Sequence, residues 1–150
     1  MDEQDAFTAL RLAVANKKPE LVELLLRHGV DPNSRAFAAG DGTLHMACFW
    51  REPCLDTVRV LLEYGADPNR MTPAGYTPLH LALRWGIVNE EHILKLVKLL
   101  VEFGADLHIR RRTGGTALHR VSFKMQERIL AIEATVVAAK AAKGIAEPST

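Results

Sequence analysis

Six histidines are the side chains of this 150-residue chain best suited to acid–base or metal chemistry. Three recur in one local context. His45 lies in Gly42-Thr43-Leu44-His45-Met46-Ala47, His80 in Gly75-Tyr76-Thr77-Pro78-Leu79-His80-Leu81-Ala82, and His119 in Gly114-Gly115-Thr116-Ala117-Leu118-His119-Arg120-Val121. Each imidazole belongs to its own copy of the motif. Copies built from helices stack about one helix diameter, roughly 10 Å, apart, whereas a zinc–nitrogen bond is only ~2 Å long. No metal or cofactor is expected. His28, His92 and His108 are scattered. Cys48 follows His45 by three residues, a spacing that helix packing explains better than an activated thiol does. Cys54 reads as a loop thiol, and two cysteines make no disulfide framework. Glu90-Glu91 reads as solvated decoration at a helix start, where negative charge suits the helix dipole. The chain has no G-x-G-x-x-G, G-x-x-x-x-G-K-[ST] or H-E-x-x-H pattern. No enzymatic activity is expected.

The elements carrying these histidines repeat. A second motif interleaves with the first: Leu21-Val22-Glu23-Leu24-Leu25-Leu26-Arg27-His28-Gly29-Val30-Asp31-Pro32-Asn33, then Thr57 to Asn69, then Leu96 to His108. Its glycines, Gly29, Gly65 and Gly104, are 36 and 39 residues apart. A looser copy of the histidine motif, Thr8-Ala9-Leu10-Arg11-Leu12-Ala13, precedes them. Two interleaved motifs of this kind, T-P-L-H-x-A and a segment ending in G-A-D-x-N, resemble the ankyrin-repeat family over residues 5–144. The resemblance implies an all-α solenoid of about four helix–turn–helix repeats joined by β-hairpin-like loops. They fall near residues 5–37, 38–72, 73–111 and 112–144, in one domain spanning 1–144, with 145–150 a short flexible tail.

Local chemistry agrees. Thr77 can cap a helix and Pro78 suits its first position. Gly29, Gly65 and Gly104 follow apolar helices, as left-handed C-terminal caps do. Asp31-Pro32, Asp67-Pro68 and Asp106 supply turns. Pro19 and Pro53 are expected to open the second helices of repeats one and two. Repeat two has a longer connection around Arg51-Glu52-Pro53-Cys54-Leu55-Asp56, and repeat three an insertion around Ile87 to His92. Asn89 is a natural N-cap, so the second helix there is expected to be lengthened at its start. Both insertions read as structural accommodation, or as shaping of a partner site.

In the ankyrin family the first helices and hairpins line a concave face, and the partner-reading positions lie just before the capping Thr and four and five residues after the motif His. Here these are Ala15, Phe49, Arg84 and Phe123, then Asn16, Trp50, Trp85 and Lys124, with Tyr76 preceding Thr77. Five of the nine aromatic residues fall in this set, and Trp, Tyr and Arg are enriched in interface hot spots. The alternative is that the aromatics pack between repeats. Arg110-Arg111-Arg112 is either a solvated hairpin tip or a dock for an acidic stretch of a partner. The resemblance gives His45, His80 and His119 a structural role, bonding backbone or the capping Thr. It also marks Asn33 and Asn69 as hairpin asparagines of the kind that asparagine hydroxylases modify, with His108 in their place in the third copy.

The expected function is a protein–protein interaction module, an adaptor or stoichiometric inhibitor. The alternative is a structural, self-associating element that uses the helix from Gln126 to Lys143. A formal net charge of +1 argues against nucleic acid as partner. No apolar run reaches the roughly 20 residues of a membrane span, and the acidic start, Met1 to Asp5, is unlike a signal peptide. A cytoplasmic monomer is expected.

Overall fold

The computed structural model describes residues 2–34, 41–84 and 89–144. Trp85, the insertion residues Ile87 and Val88, and the tail 145–150 lie outside these segments. Among the described residues seven α-helices follow in order: α1 (Glu3–Ala15), α2 (Pro19–Arg27), α3 (Thr43–Phe49), α4 (Leu55–Glu63), α5 (Pro78–Ala82), α6 (Glu90–Glu102) and α7 (Phe123–Ala142). A 3₁₀ turn, Ala117–Arg120, precedes α7. Every regular element among the described residues is helical, as an ankyrin solenoid requires.

Caps set the helix boundaries. Asp2, Asn89 and Ser122 each accept a backbone N–H at the start of α1, α6 and α7. Pro19 stands at the start of α2 and Pro78 at the start of α5. Pro53 does not open α4, contrary to expectation. Cys54 is the N-cap, and buried Pro53 lies just outside the helix. The longer connection lets the Pro53 carbonyl accept the Nε2–H of His92 at 2.7 Å, near the start of α6. Thus the insertions of repeats two and three brace each other. As expected from Asn89, α6 has 13 residues where α2 and α4 have 9.

The pairs stack in sequence order: α1 packs on α2 and α3, α2 on α4, α3 on α5, α4 on α6, and α6 on α7. Between them runs one continuous core. Leu10, Val22, Leu61, Leu79, Leu96, Leu100, Leu107 and Ile129 are fully buried, each such side chain worth about 1.5–3 kcal/mol of apolar burial. Cys48 joins this core, and desolvation pushes its thiol pKa up to about 12, so it packs as a small inert hydrophobe.

Two sequence expectations change at the rear. Repeat four has no first α-helix: Ser122 caps α7 directly after the four-residue 3₁₀ turn. Glu90 and Glu91 are not merely solvated. Arg128 of α7 reaches both, Nη1 to Glu90 at 2.7 Å and Nη2 to Glu91 at 2.8 Å, fastening the last helix to the start of α6.

Candidate partner-binding face

The motif histidines build this face. Thr77 accepts the backbone N–H of His80 through Oγ1, while its own N–H donates to His80 Nδ1 at 3.1 Å. That leaves Nε2–H to donate forward, to the Gly115 carbonyl at 3.3 Å in the next hairpin. His45 does the same. Its Nδ1 accepts from Gly42 N–H at 3.1 Å, and its Nε2–H is shared by the Arg70 and Tyr76 carbonyls at 2.8 and 3.0 Å. Burial lowers the pKa of both rings, with the carbonyl acceptors partly opposing it. Each neutral imidazole therefore anchors the hairpin that follows it. His119 is exposed, because α7 rather than another hairpin follows it.

The anchored hairpins are tight. Thr72 N–H donates to the Tyr76 carbonyl at 2.9 Å, and Arg111 N–H to the Gly115 carbonyl at 3.0 Å. Gly75 sits at φ +85°, and a Cβ there would lie 2.8 Å from the Arg112 backbone nitrogen. This close stacking places the Arg111 guanidinium over the Tyr76 ring, 5.9 Å from its centroid. The Tyr76 ring also meets His80 edge-on at 6.2 Å.

Around the end of α3, Phe49 and Trp50 form an edge-to-face pair at 6.5 Å and remain 37% and 40% exposed. A shallow cleft of about 360 Å³ beside Trp50 is lined by Lys17, Arg51 and Glu52. Arg84 is exposed in the turn after α5. Phe123 and Lys124 are placed differently from the sequence reading. They occupy the first turn of α7 instead of a first helix, and Phe123 is 75% exposed there.

From residue 41 onward, charge is sorted by side. Segments 41–53, 70–84 and 109–121, the hairpins and first helices, carry Arg51, Arg70, Arg84, Arg110, Arg111, Arg112 and Arg120 against Asp41 and Glu52. The second-helix segments 54–69 and 89–108 hold seven carboxylates against Arg59, Lys95 and Lys98. Sequence reasoning missed Arg51 and Arg70. Arg70 directly follows the hairpin asparagine Asn69, and its Nη1 donates to the Asn33 carbonyl. Their signal was present in the segment charges, which the overall +1 conceals.

Asn33 and Asn69 lie at the turns between pairs. Asn33 Nδ2 donates to the Gly65 carbonyl at 2.9 Å and its Oδ1 accepts from Asp67 N–H at 2.8 Å. Asn69 repeats both bonds one pair later, to Gly104 and Asp106. Among the described residues, no group of three His, Cys, Asp or Glu side chains is placed to hold a metal ion, and no helix is long and apolar enough to cross a membrane.

The stacked helix pairs, the forward-reaching histidines and the hairpin asparagines define a class of repeat proteins, and comparison gives the family. The family model for ankyrin repeats (3 copies) matches residues 1–72 and 44–132. The chain belongs to the ankyrin-repeat family. It is similar to an ankyrin repeat protein of Fowlpox virus (strain NVSL), 38% identical over 80 residues, or 53% of this chain and 23% of that protein. It is also similar to Ankyrin repeat and SOCS box protein 6 of Mus musculus, 42% identical over 79 residues, covering 51% of this chain and 18% of the relative. BTB/POZ domain and ankyrin repeat-containing protein NPR5 of Oryza sativa subsp. japonica is 44% identical over 78 residues, 51% and 15% of the two chains. The matched segment thus spans less than a quarter of each of these relatives. Ankyrin repeats are generally protein–protein interaction modules.

Proposed function

We propose that this chain binds a partner protein through its hairpin and first-helix face, as an adaptor or stoichiometric inhibitor acting in the cytoplasm. The observation that carries this reading is the Arg111 guanidinium over the Tyr76 ring, on a face where, from residue 41 onward, exposed aromatics stand among arginines and almost no acids. Phe49, Trp50 and Tyr76 supply apolar contact, joined by Trp85 through its register with Trp50. Arg84, Arg111 and Arg112 supply charge, and Phe123 and Lys124 extend the surface onto α7. The partner segment that fits is acidic and carries an apolar side chain, with arginine forks recognising its carboxylates. Nucleic acid is a poorer fit, because the second-helix segments are acidic and the formal net charge is only +1.

The test is selection from a randomised peptide library, followed by affinity measurement for the winning sequences. Enriched peptides should be acidic with an apolar anchor. Trp50→Ala and Arg111→Ala should each weaken binding at least about tenfold, as hot-spot truncations do, with helical content unchanged. Peptides that bind the double variant as tightly as the original chain overturn the assignment.

We propose further that Asn33 and Asn69 are hydroxylation sites. Both carboxamides are held at the turns by their own bonds, and an oxygen added at Cβ leaves those bonding groups intact. Intact-mass measurement after incubation with an asparagine hydroxylase tests this; an unchanged mass overturns it.

A further inference from the structure

The first helix pair leaves open a face that the later pairs bury. Aligned on Gly29, Gly65 and Gly104, Leu21 corresponds to Thr57 and Leu96, and Leu24 to Val60 and Leu99. Thr57, Leu96 and Leu99 are at most 4% exposed, whereas Leu21 is 45% and Leu24 51% exposed. Aligned on Arg11, His45 and His80, Leu12 corresponds to half-buried Met46 and to Leu81, which is 6% exposed; Leu12 itself is 51% exposed. In pairs two and three, each of which has a pair stacked before it, these positions are buried or, at Met46 and Val60, half-buried. The surface that fits them is therefore the trailing side of an ankyrin-type unit.

The opposite end of the molecule offers such a side. Helix α7 buries Met125, Ile129 and Val136 against the stack. It leaves Phe123, Leu130 and Val137 exposed at 75%, 40% and 45%. These three recur every seven residues, so they line one side of the helix.

The two ends also differ in charge. Residues 2–34 have six acids and four bases, a net −2, whereas residues 122–144, the α7 end, have four bases and two acids, a net +2. At the front, Asp2, Glu3 and Asp31 surround a cleft of about 230 Å³ beside His28. At the rear, Lys124 and Lys140 are carried by α7 and Lys143 is its C-cap.

We propose that copies of this chain stack head to tail, the leading face of α1 and α2 in one copy seated on the trailing side of α7 in the next. The leucines of one end cover the apolar stripe of the other, and the opposite charges set polarity and register. This departs from the monomer expected from sequence. The two surfaces are different, so the contact is heterologous and grows open chains, not closed pairs. Phe123 and Lys124 also belong to the proposed partner-binding surface, but Leu21 and Leu130, on which the test rests, do not, so the two readings fail separately.

Sedimentation velocity on the full chain, from micromolar to millimolar concentration, tests the proposal with two surface variants, Leu21→Lys at the front and Leu130→Lys at the rear. Circular dichroism confirms that both fold. The unmodified chain should show a mean mass that rises with concentration past the dimer. Each variant alone should stay monomeric, its association weakened at least tenfold. Mixed in equal amounts, the variants should form a dimer and stop there, since one keeps its rear and the other its front. An unmodified chain that remains monomeric throughout overturns the proposal. So does a mixture that stays monomeric, and so does a Leu21→Lys variant that still dimerises, which is the mark of α7 pairing with α7.

Discussion

The Asn33 carboxamide accepts the backbone N–H of Asp67 at 2.8 Å, one helix pair further along the stack. The same group donates to the Gly65 carbonyl, and Asn69 repeats the arrangement with Asp106 and Gly104. The Asp carboxylates close each turn locally: Asp31 accepts from Asn33 N–H and Asp67 from Asn69 N–H, at 2.8 and 2.9 Å. The stack is thus stitched by a ladder of short side chains along one edge. At its third step His108 replaces asparagine and instead lies 3.4 Å from Glu133 of α7.

Breaking one rung should loosen two pairs at once. Asn33→Ala removes both bonds and leaves Asp67 N–H and the Gly65 carbonyl to partial hydration. We expect a loss of about 1–2 kcal/mol, read as a lower urea midpoint. A midpoint shift smaller than that of a surface alanine control would show that the rung is not holding the pairs together.

Stability should fall on mild acidification. His45 and His80 have pKa values lowered in the folded chain by burial, against an unfolded value near ~6.5. The unfolded chain therefore binds more protons, and stability rises with pH through this range. It is full above about pH 6.5, decreases below that, and levels once the pH is under the folded pKa values. Protonation also turns Nδ1 into a donor facing Gly42 N–H or Thr77 N–H. Urea midpoints from about pH 7.5 to 5 should decline in the unmodified chain. The decline should be shallower in His45→Gln/His80→Gln; an equally steep one would assign the effect to other groups.

Arg128→Gln should release the rear of the stack. Its partners are partly exposed, with Arg128 at 37%, Glu90 at 55% and Glu91 at 74%, so screening limits the loss to about 0.5–1 kcal/mol. The loss should shrink in molar salt. Amide exchange should accelerate in α7 and stay constant in α1 and α2. Uniform acceleration across all helices would mean that the clamp acts on the whole stack.

Gly75→Ala and Gly29→Ala should differ although both residues have φ near +90°. Gly29 faces open space, so its substitution costs about 1 kcal/mol of backbone strain. At Gly75 the new methyl meets the Arg112 backbone nitrogen at 2.8 Å, and the hairpins must separate. We expect at least twice the Gly29 loss and weaker peptide binding at Tyr76. Equal midpoints for the two variants would remove the steric account.

The helix pairs were legible because their signals are local. Thr77-Pro78, Asn89, and the glycines after each apolar helix specify starts and stops through caps that need only neighbouring residues. Pro53 misled for the same reason. Its place outside α4 depends on His92, 39 residues away. Glu90 and Glu91 read as solvated until Arg128 reached them from another helix. Counting from His119 reaches Phe123 and Lys124 but not the helix that carries them, because Ser122 caps α7 just after a 3₁₀ turn.

Sequence alone determined the family, the order of helix pairs and the chemistry of their junctions, because a repeat states each short-range rule several times. Tertiary structure decided which surfaces remain open. Leu21 and Leu96 hold equivalent positions in the repeat, yet one is 45% exposed and the other 0%. Burial depends on what stands in front of a side chain, and no local pattern carries that. It likewise set Arg111 over Tyr76, since only stacked hairpins bring residues 35 positions apart into one contact.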